Sequence, residues 1–367
     1  MEFHCERDTL LEGLTTTSRA VASRAGNLPV LAGVKLDLSG DRLVLSGTDL
    51  DLTITASVKV AGAGDGVTVI PARLLNDIVR ALEPGAVQVE ADDEEARISS
   101  GRSQFSVRVL PSEDFPRATG VVGDEVKLQA GALSEALRQV VRAASSDDAR
   151  PILTGVLMAA EGDGLRLVAT DSYRLAVRDL PGMSVLREGQ SVLVPSKALG
   201  ELTRTMGGDG EVTLRLGERD ATFESGDVVL TTRLIEGEFP NYRQLIPESH
   251  PNRLTVGREA LLDAVRRVKL LAREATPVRV ALRPDGIALA AVTQDVGEAH
   301  EELDAKYEGA EMVIAFNPEY LADGVEAVEG DEVALETVDS LKPAVVRSGD
   351  PGEGDDYLYL LMPVRVT

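Results

Sequence analysis

Few side chains in this 367-residue chain stand where covalent chemistry would need them. His4, His250 and His300 are far apart and in no metal-ligand spacing, so capping or solvent-exposed roles are expected of them. His4-Cys5 is an adjacent pair without a third partner, and a single cysteine excludes an intramolecular disulfide framework and a thiolate zinc cluster. Gly62-Ala63-Gly64-Asp65-Gly66 has the glycine content of a phosphate loop, but it lacks the closing Lys-Ser/Thr and precedes a strand pattern, so it reads as a hairpin. Gly349 to Asp356 is acidic and reads as a mobile surface loop. The pairs Thr48-Asp49 and Thr170-Asp171 suggest acid/base work in isolation, yet their recurrence at matching places points to turn capping. No catalytic residue, metal or cofactor is assigned.

The remaining chemistry is ionic. The chain carries 38 Lys or Arg against 61 Asp or Glu, a formal charge of -23. Taken globally, that charge repels a polyanion. It is not spread evenly. Helical patterns are predicted over 7–24, 72–83, 132–145, 195–206, 258–273 and 317–328, and these six hold 14 Lys or Arg against 11 Asp or Glu, so the acidic excess lies outside them. In the fifth, Arg266, Lys269 and Arg273 recur at i, i+3 and i+7 and form a basic stripe beside the apolar one. Arg138 with Arg142, Arg73 with Arg80, and Lys197 with Arg204 repeat this more sparsely. Two readings stand: solvated helix faces with occasional ion pairs, or a surface where sparse cations meet phosphates. Glu319, Asp323 and Glu326 leave the sixth helix at -3, against the second reading.

The elements that position these cations are triplicated. Leu31-Ala32-Gly33-Val34 recurs as Leu153-Thr154-Gly155-Val156, and Gly47-Thr48-Asp49-Leu50 as Ala169-Thr170-Asp171-Ser172, both 122 positions on, with a third copy at Val292-Thr293-Gln294-Asp295. Pro71, Pro195 and Pro318 mark a second series. Three units are expected, 1–122, 123–250 and 251–367. Each opens with a helical stripe (Leu10, Leu11, Leu14 and Val21 in the first), continues in alternating strands, starts a second helix at the repeated proline, and closes with strands. The fold class is therefore α+β, with two helices per module packed on one face of antiparallel sheet.

Composition sets further bounds. The length exceeds what one core usually supports, and 43% apolar with 27% charged residues describes a folded chain. Aromatics are 3% and Trp is absent, which supplies stacking platforms for single-stranded nucleic acid poorly. The N-terminus has no basic region followed by an apolar stretch, and no run approaches a membrane span, so a cytoplasmic location is expected and no membrane partner.

The threefold repeat, together with Arg150-Pro151-Ile152-Leu153-Thr154-Gly155-Val156, the segment from Ala169 to Val177, Glu236-Gly237-Glu238-Phe239-Pro240-Asn241-Tyr242 and the terminal Leu360-Leu361-Met362-Pro363-Val364-Arg365, resembles the bacterial DNA polymerase III beta subunit family, the sliding clamps, from Phe3 to the last residue. The resemblance implies a head-to-tail homodimer whose six modules close into a ring, with helices around duplex DNA and no catalysis of its own. It implies DNA contacts from Arg24, Arg73, Arg80, Arg138, Arg142, Lys197, Arg204, Arg266, Lys269 and Arg273. It further implies an apolar pocket for linear peptides of the polymerase catalytic subunit, clamp loader and repair proteins, formed by Leu153, Thr170, Ser172, Tyr173, Arg174, Leu175, Pro240, Leu245, Leu341, Pro343, Leu360, Met362, Pro363 and Arg365. Leu153 and Leu175, taken singly, read better as interdomain core. Ser172-Tyr173 departs from the Gly-His often found there in the family, which bears on ligand preference. A protein-interaction scaffold that keeps the ring and pocket but barely engages DNA is the main alternative, and an unrecognised hydrolase finds little support in the residues.

Overall fold

Among the described residues, three non-glycine residues adopt left-handed backbones, Leu50 (φ 81°), Ser172 (φ 83°) and Asp295 (φ 63°), and each lies two residues after Thr48, Thr170 or Thr293 of the triplicated motif. In the first two copies the same side chains hold the turn. The Thr48 hydroxyl donates to the Leu52 carbonyl and accepts the Leu50 N–H, while the Asp49 carboxylate accepts the N–H groups of Asp51 and Leu52. Thr170 and Asp171 repeat this with Arg174, Ser172 and Tyr173. Both Thr-Asp pairs are turn caps, as the sequence suggests. The third copy has Gln294 for the aspartate, and Thr293 instead donates to the Leu271 carbonyl.

The computed structural model describes residues 1–22, 26, 28–117, 123–206, 210–272, 276–349 and 356–365. The chain divides into two compact units, Met1–Leu133 with Ala198–Leu234, and Ser134–Lys197 with Ile235–Thr367. The helices are α1 (Arg7–Ser18), α2 (Ala72–Ala81), α3 (Ala130–Val140), α4 (Ser196–Thr205), α5 (Arg258–Lys269) and α6 (Pro318–Ala327).

These helices fall where the apolar spacing puts them, and most stop short of the expected ends for local reasons. The β-branched run Thr15-Thr16-Thr17, with Thr17 donating back to the Gly13 carbonyl, ends α1 at Ser18. Pro84 disfavours helical backbone at Glu83, so α2 ends at Ala81. Past Lys269 the chain tightens into i→i+3 bonds, Leu270 to Arg267 and Leu271 to Val268. Pro318 takes the first position of α6, and the Asn317 side chain accepts the N–H groups of Glu319 and Tyr320. Pro71 and Pro195, by contrast, are the last residues of the strands leading into α2 and α4.

Among the described residues all strand pairs are antiparallel. The first unit holds a five-stranded sheet ending in Ser103–Arg108, and an eight-stranded sheet in which Leu52–Lys59 of the first repeat pairs with Val228–Arg233 of the second, Leu52 opposite Thr232 and Ala56 opposite Val228. The second unit repeats this joint: Arg174–Leu180 of the second repeat pairs with Tyr357–Leu361 of the third, Arg174 opposite Leu361 and Arg178 opposite Tyr357, inside a nine-stranded sheet. Its four-stranded sheet ends in Gly297–Leu303. The glycine-rich segment is not a hairpin: Ala61–Gly64 pairs with Glu2–Glu6, whereas Gly66–Pro71 pairs with Gly33–Ser39 in the other sheet. Glycine is needed there because a Cβ on Gly62 would lie 2.0 Å from the Gly40 carbonyl oxygen. The acidic segment that reads as a mobile loop lies, at 350–355, outside the described residues.

Phe3, Leu10, Leu14, Leu36, Leu45, Leu75, Val79 and Ile98 form one continuous core in the first unit. Each such side chain contributes about 1.5–3 kcal/mol by leaving water. In the second unit, α6 closes on the strand Tyr357–Leu361 so tightly that a Cβ on Gly324 would meet the Tyr359 ring at 2.5 Å.

Candidate functional site

Arg73 and Arg80 lie on the exposed side of α2, whose Leu75, Ile78 and Val79 are buried. Arg80 is 3.9 Å from Asp77 on its own helix. Lys197 and Arg204 are exposed on α4, with Arg204 2.5 Å from Glu201. Arg138 is exposed on α3 and pairs with Glu135; Arg142 is exposed in the following turn. Arg266 is exposed on α5 and Lys269 half-buried. Arg24 and Arg273 lie outside the described residues.

The acidic sixth helix is accounted for by these cations. Glu319, Asp323 and Glu326 fall at i, i+4 and i+7, on one side of α6. Glu319 is 2.7 Å from Lys269, Glu326 accepts from both Arg142 and Arg266, the latter at 3.0 Å, and Asp323 lies 3.8 Å from Arg142. The hydrogen bond from Arg142 holds the Glu326 carboxyl below the usual carboxylate range, and the bond from Lys269 does the same for Glu319. Exposed pairs of this kind contribute about 0–1 kcal/mol each, so a phosphate can replace the carboxylate at small cost.

The second group of residues converges on the turn after Thr170 and on the C-terminal tail. Ser172 and Tyr173 are exposed at its tip, and the Tyr173 carbonyl accepts the Met362 N–H at 2.9 Å. Thr170 is buried with its hydroxyl committed to the turn. Arg174 points to α6, where its guanidinium meets Asp323 at 2.5 Å and Asp171 at 3.0 Å and lies 4.2 Å over the Tyr320 ring. Burial opposes that charge, but Tyr359, Asp323 and Asp171 outweigh it and hold the proton more tightly than usual.

On the opposite face of the same strand, Leu175 joins Val168, Val177, Leu360 and Tyr242 in a buried cluster, flanked by Phe239 and Ile246. Leu153, in the short turn Pro151–Thr154, is also buried. Leu153, Leu175 and Leu360 are thus buried, whereas Tyr173, Pro240, Leu245, Leu341, Met362 and Arg365 are exposed and Pro363 and Pro343 half-buried. Leu341 and Arg365 line an open cavity of about 650 Å³ together with Val313, Ala315, Ser340, Val364 and Arg279. The Val364 N–H donates to the Ala315 carbonyl, so the tail runs along the edge of the strand Met312–Phe316.

Three domain models of the DNA polymerase III beta subunit match the chain consecutively, the N-terminal domain at residues 1–119, the central domain at 127–241 and the C-terminal domain at 243–365. The chain belongs to the DNA polymerase III beta subunit family. Beta sliding clamps of Streptomyces coelicolor and Synechococcus elongatus are 35% and 36% identical to it, each over the whole of both chains. The solved clamp of Bartonella birtlesii bound to griselimycin superposes with a TM-score of 0.92 at 33% identity, and that of Bacillus subtilis with 0.90 at 28%, again over all of both chains. The family's function, that of a sliding clamp serving DNA polymerase III, is this chain's function.

Against this clamp fold, Arg279, Tyr320 and Asp323 are residues that sequence reasoning does not assign to a site. Asp323 had a visible signal, the acidic stripe that conflicts with a phosphate-facing surface. Arg279 had none, because it reaches the groove from a strand more than a hundred residues from Arg174 in the chain.

Proposed function

We propose that the chain is a non-catalytic cytoplasmic clamp of three modules, 1–122, 123–250 and 251–367, that pairs head to tail with a second copy around duplex DNA and tethers partners through the groove beside Met362. One observation carries the closure. Two module joints are made by the strand after the left-handed turn pairing with the last strand of the next module. Applied a third time, the rule leaves Gly297–Leu303 of the third module and Ser103–Arg108 of the first, and both are edge strands. Pairing these between two copies closes a heterologous contact and removes both open edges.

The register follows by analogy with the internal joints. Gly297 should stand opposite Val107, Ala299 opposite Phe105 and Glu301 opposite Ser103. Charge supports it: the first edge carries Arg102 and Arg108, the second Glu298, Glu301 and Glu302. Exposed Phe105, Leu74 and Leu270 supply apolar surface that a lone copy would leave wet.

The ten cations named from the sequence contact phosphates without reading bases, which suits sliding. The pairing of the α6 carboxylates to these cations weakens the case for a scaffold that ignores DNA, since the acidic helix no longer stands as a repulsive face.

The test is retention on DNA. Loaded by a clamp loader onto nicked circular DNA, the protein should stay bound through gel filtration and run off when the circle is cut. Its native mass should be about twice the 39.0 kDa chain. Retention indifferent to cutting, or a chain that sediments as one copy, rules the reading out. Met362→Ala with Pro363→Ala should abolish binding of a polymerase-derived peptide and leave that mass unchanged; unaltered peptide affinity would remove the groove from the account.

A further inference from the structure

An unbroken alternation of charge runs from α5 to the turn that holds the C-terminal tail. Arg266 and Arg142 share Glu326, Arg142 also reaches Asp323 at 3.8 Å, Asp323 meets Arg174 at 2.5 Å, and Arg174 meets Asp171 at 3.0 Å. Exposure of the arginines falls along it, from 54% at Arg266 and 42% at Arg142 to 11% at Arg174. Water therefore screens the outer pairs and leaves the inner ones strong.

The two ends meet different surfaces. At the outer end stand cations read above as phosphate contacts. At the inner end Asp171 accepts the N–H groups of Tyr173 and Arg174, and the Tyr173 carbonyl accepts the Met362 N–H. Asp323 joins them, because its two oxygens face different arginines, Oδ1 toward Arg142 and Oδ2 toward Arg174. Its helix is fixed in place, since Gly324 abuts the Tyr359 ring and the Tyr359 hydroxyl donates to the Tyr320 carbonyl at 2.9 Å. The carboxylate is thus divided between a movable, exposed cation and a buried one.

Resting on the reading of Arg142 as a phosphate contact and of the groove beside Met362 as the docking site, we propose that phosphate binding at Arg142 strengthens partner docking through Asp323. The Arg142 side chain is the element with two positions: it lies on Glu326 and Asp323 in the free protein and on a phosphate when DNA is bound. Once it leaves, Arg174 is the one cation that Asp323 keeps among the described residues. Asp323 then holds Arg174 more firmly over the Tyr320 ring and steadies the Asp171 turn that carries Tyr173 and Met362. Linkage makes the effect reciprocal, so a docked partner also tightens the hold on DNA. Partners are thereby drawn to copies on DNA in preference to free ones. Because the pair that is exchanged is exposed, the coupling amounts to about two- to fivefold in affinity.

The test measures one affinity in two states. The full-length protein is loaded onto nicked circular DNA, freed of loader by gel filtration, and titrated by anisotropy with a fluorescein-labelled, polymerase-derived peptide; the circle is then cut and the titration repeated. The peptide should bind about two- to fivefold tighter before cutting than after, with the gap narrowing as salt rises. Two variants should move in opposite directions. Arg142→Gln, at an exposed position, should raise the affinity of the free protein toward its DNA-bound value, whereas Asp323→Asn should lower the affinity in both states. Each should bring the ratio of the two states to near one. A merely structural Asp323 would weaken both states equally and keep the wild-type ratio. Equal wild-type affinities before and after cutting, looser binding on DNA, or a ratio that survives in either variant overturns the coupling while clamp and groove stand. If the protein is not retained on the circle, or if the peptide does not bind, the underlying reading fails and the coupling fails with it.

Discussion

Glu326 of α6 sits between Arg142 and Arg266 and accepts a hydrogen bond from each. The carboxylate occupies two of the cations assigned to phosphate, and DNA must displace it to engage them. Removing its charge with Glu326→Gln leaves them only longer pairs, Arg142 with Asp323 at 3.8 Å and Arg266 with Asp263 at 3.6 Å. Because each released cation adds one phosphate contact, the slope of log affinity against log salt for a duplex should steepen by about 1–2, with tighter binding at low salt. Glu224→Gln is the control for net charge, since Glu224 pairs with Arg215, a strand residue that is not among the cations assigned to phosphate. An equal effect in both variants would reduce the displacement to bulk electrostatics.

Arg174 depends on Asp323 in a different way. Its side chain is 11% exposed, so its charge needs partners, and Asp323 at 2.5 Å is the nearer of its two carboxylates. Asp323 itself is a third exposed, which lowers the value of the pair below that of a fully buried one. Asp323→Ala should therefore cost about 1–2 kcal/mol in urea unfolding. It should also loosen Arg174 over Tyr320, weakening peptide binding even though Asp323 does not line the cavity. Wild-type peptide affinity in this variant would confine Asp323 to stability.

How much of this the sequence discloses depends on the reach of each signal. Leu50, Ser172 and Asp295 share one backbone geometry because the motif at Thr48, Thr170 and Thr293 is local, and a repeat of 122 residues makes local signals legible three times over. Helix positions follow from apolar spacing, while their ends follow from finer effects such as Thr15-Thr16-Thr17. The groove is harder. Leu175 and Leu360 look like ligand contacts in the motif, yet strand pairing places them opposite each other beneath Tyr242. Arg279 is invisible in one dimension, since only the pairing of Val278–Arg283 with Met312–Phe316 brings it beside Leu341 and Val364.

His250 makes stability sensitive to mild acid. Both oxygens of its neighbour Glu336 are already engaged, one 3.1 Å from Arg253 and the other 3.3 Å from Arg347. The imidazole is 3.8 Å from that carboxylate, and burial pushes its pKa below the ordinary value, with Glu336 opposing and Arg347 adding to the shift. The unfolded chain then takes up a proton on this histidine at a higher pH than the folded one does. The stability due to the neutral imidazole is complete above about pH 7 and is lost as pH falls through the ordinary histidine value toward the lower folded one. His250→Gln should lose less of its urea midpoint between about pH 7.5 and pH 5.5 than the wild type; parallel pH profiles would show that the imidazole stays uncoupled from folding.

Cys5 should be nearly inert while the protein is folded. It lies in the strand Glu2–Glu6 against the first unit's core, and burial, with a smaller contribution from Glu6, pushes the thiol up to about 12. Alkylation requires the thiolate, and an ordinary cysteine near 8.5 is roughly one quarter ionised at pH 8, so the folded protein should react with iodoacetamide about 10³-fold more slowly than free cysteine. Adding urea beyond the unfolding midpoint should restore the ordinary rate, because the depression comes from the packed strand and not from the sequence around it. Mass spectrometry of the alkylated chain measures both rates, and a folded-state rate within tenfold of free cysteine would mean that the strand opens often enough to expose the thiol.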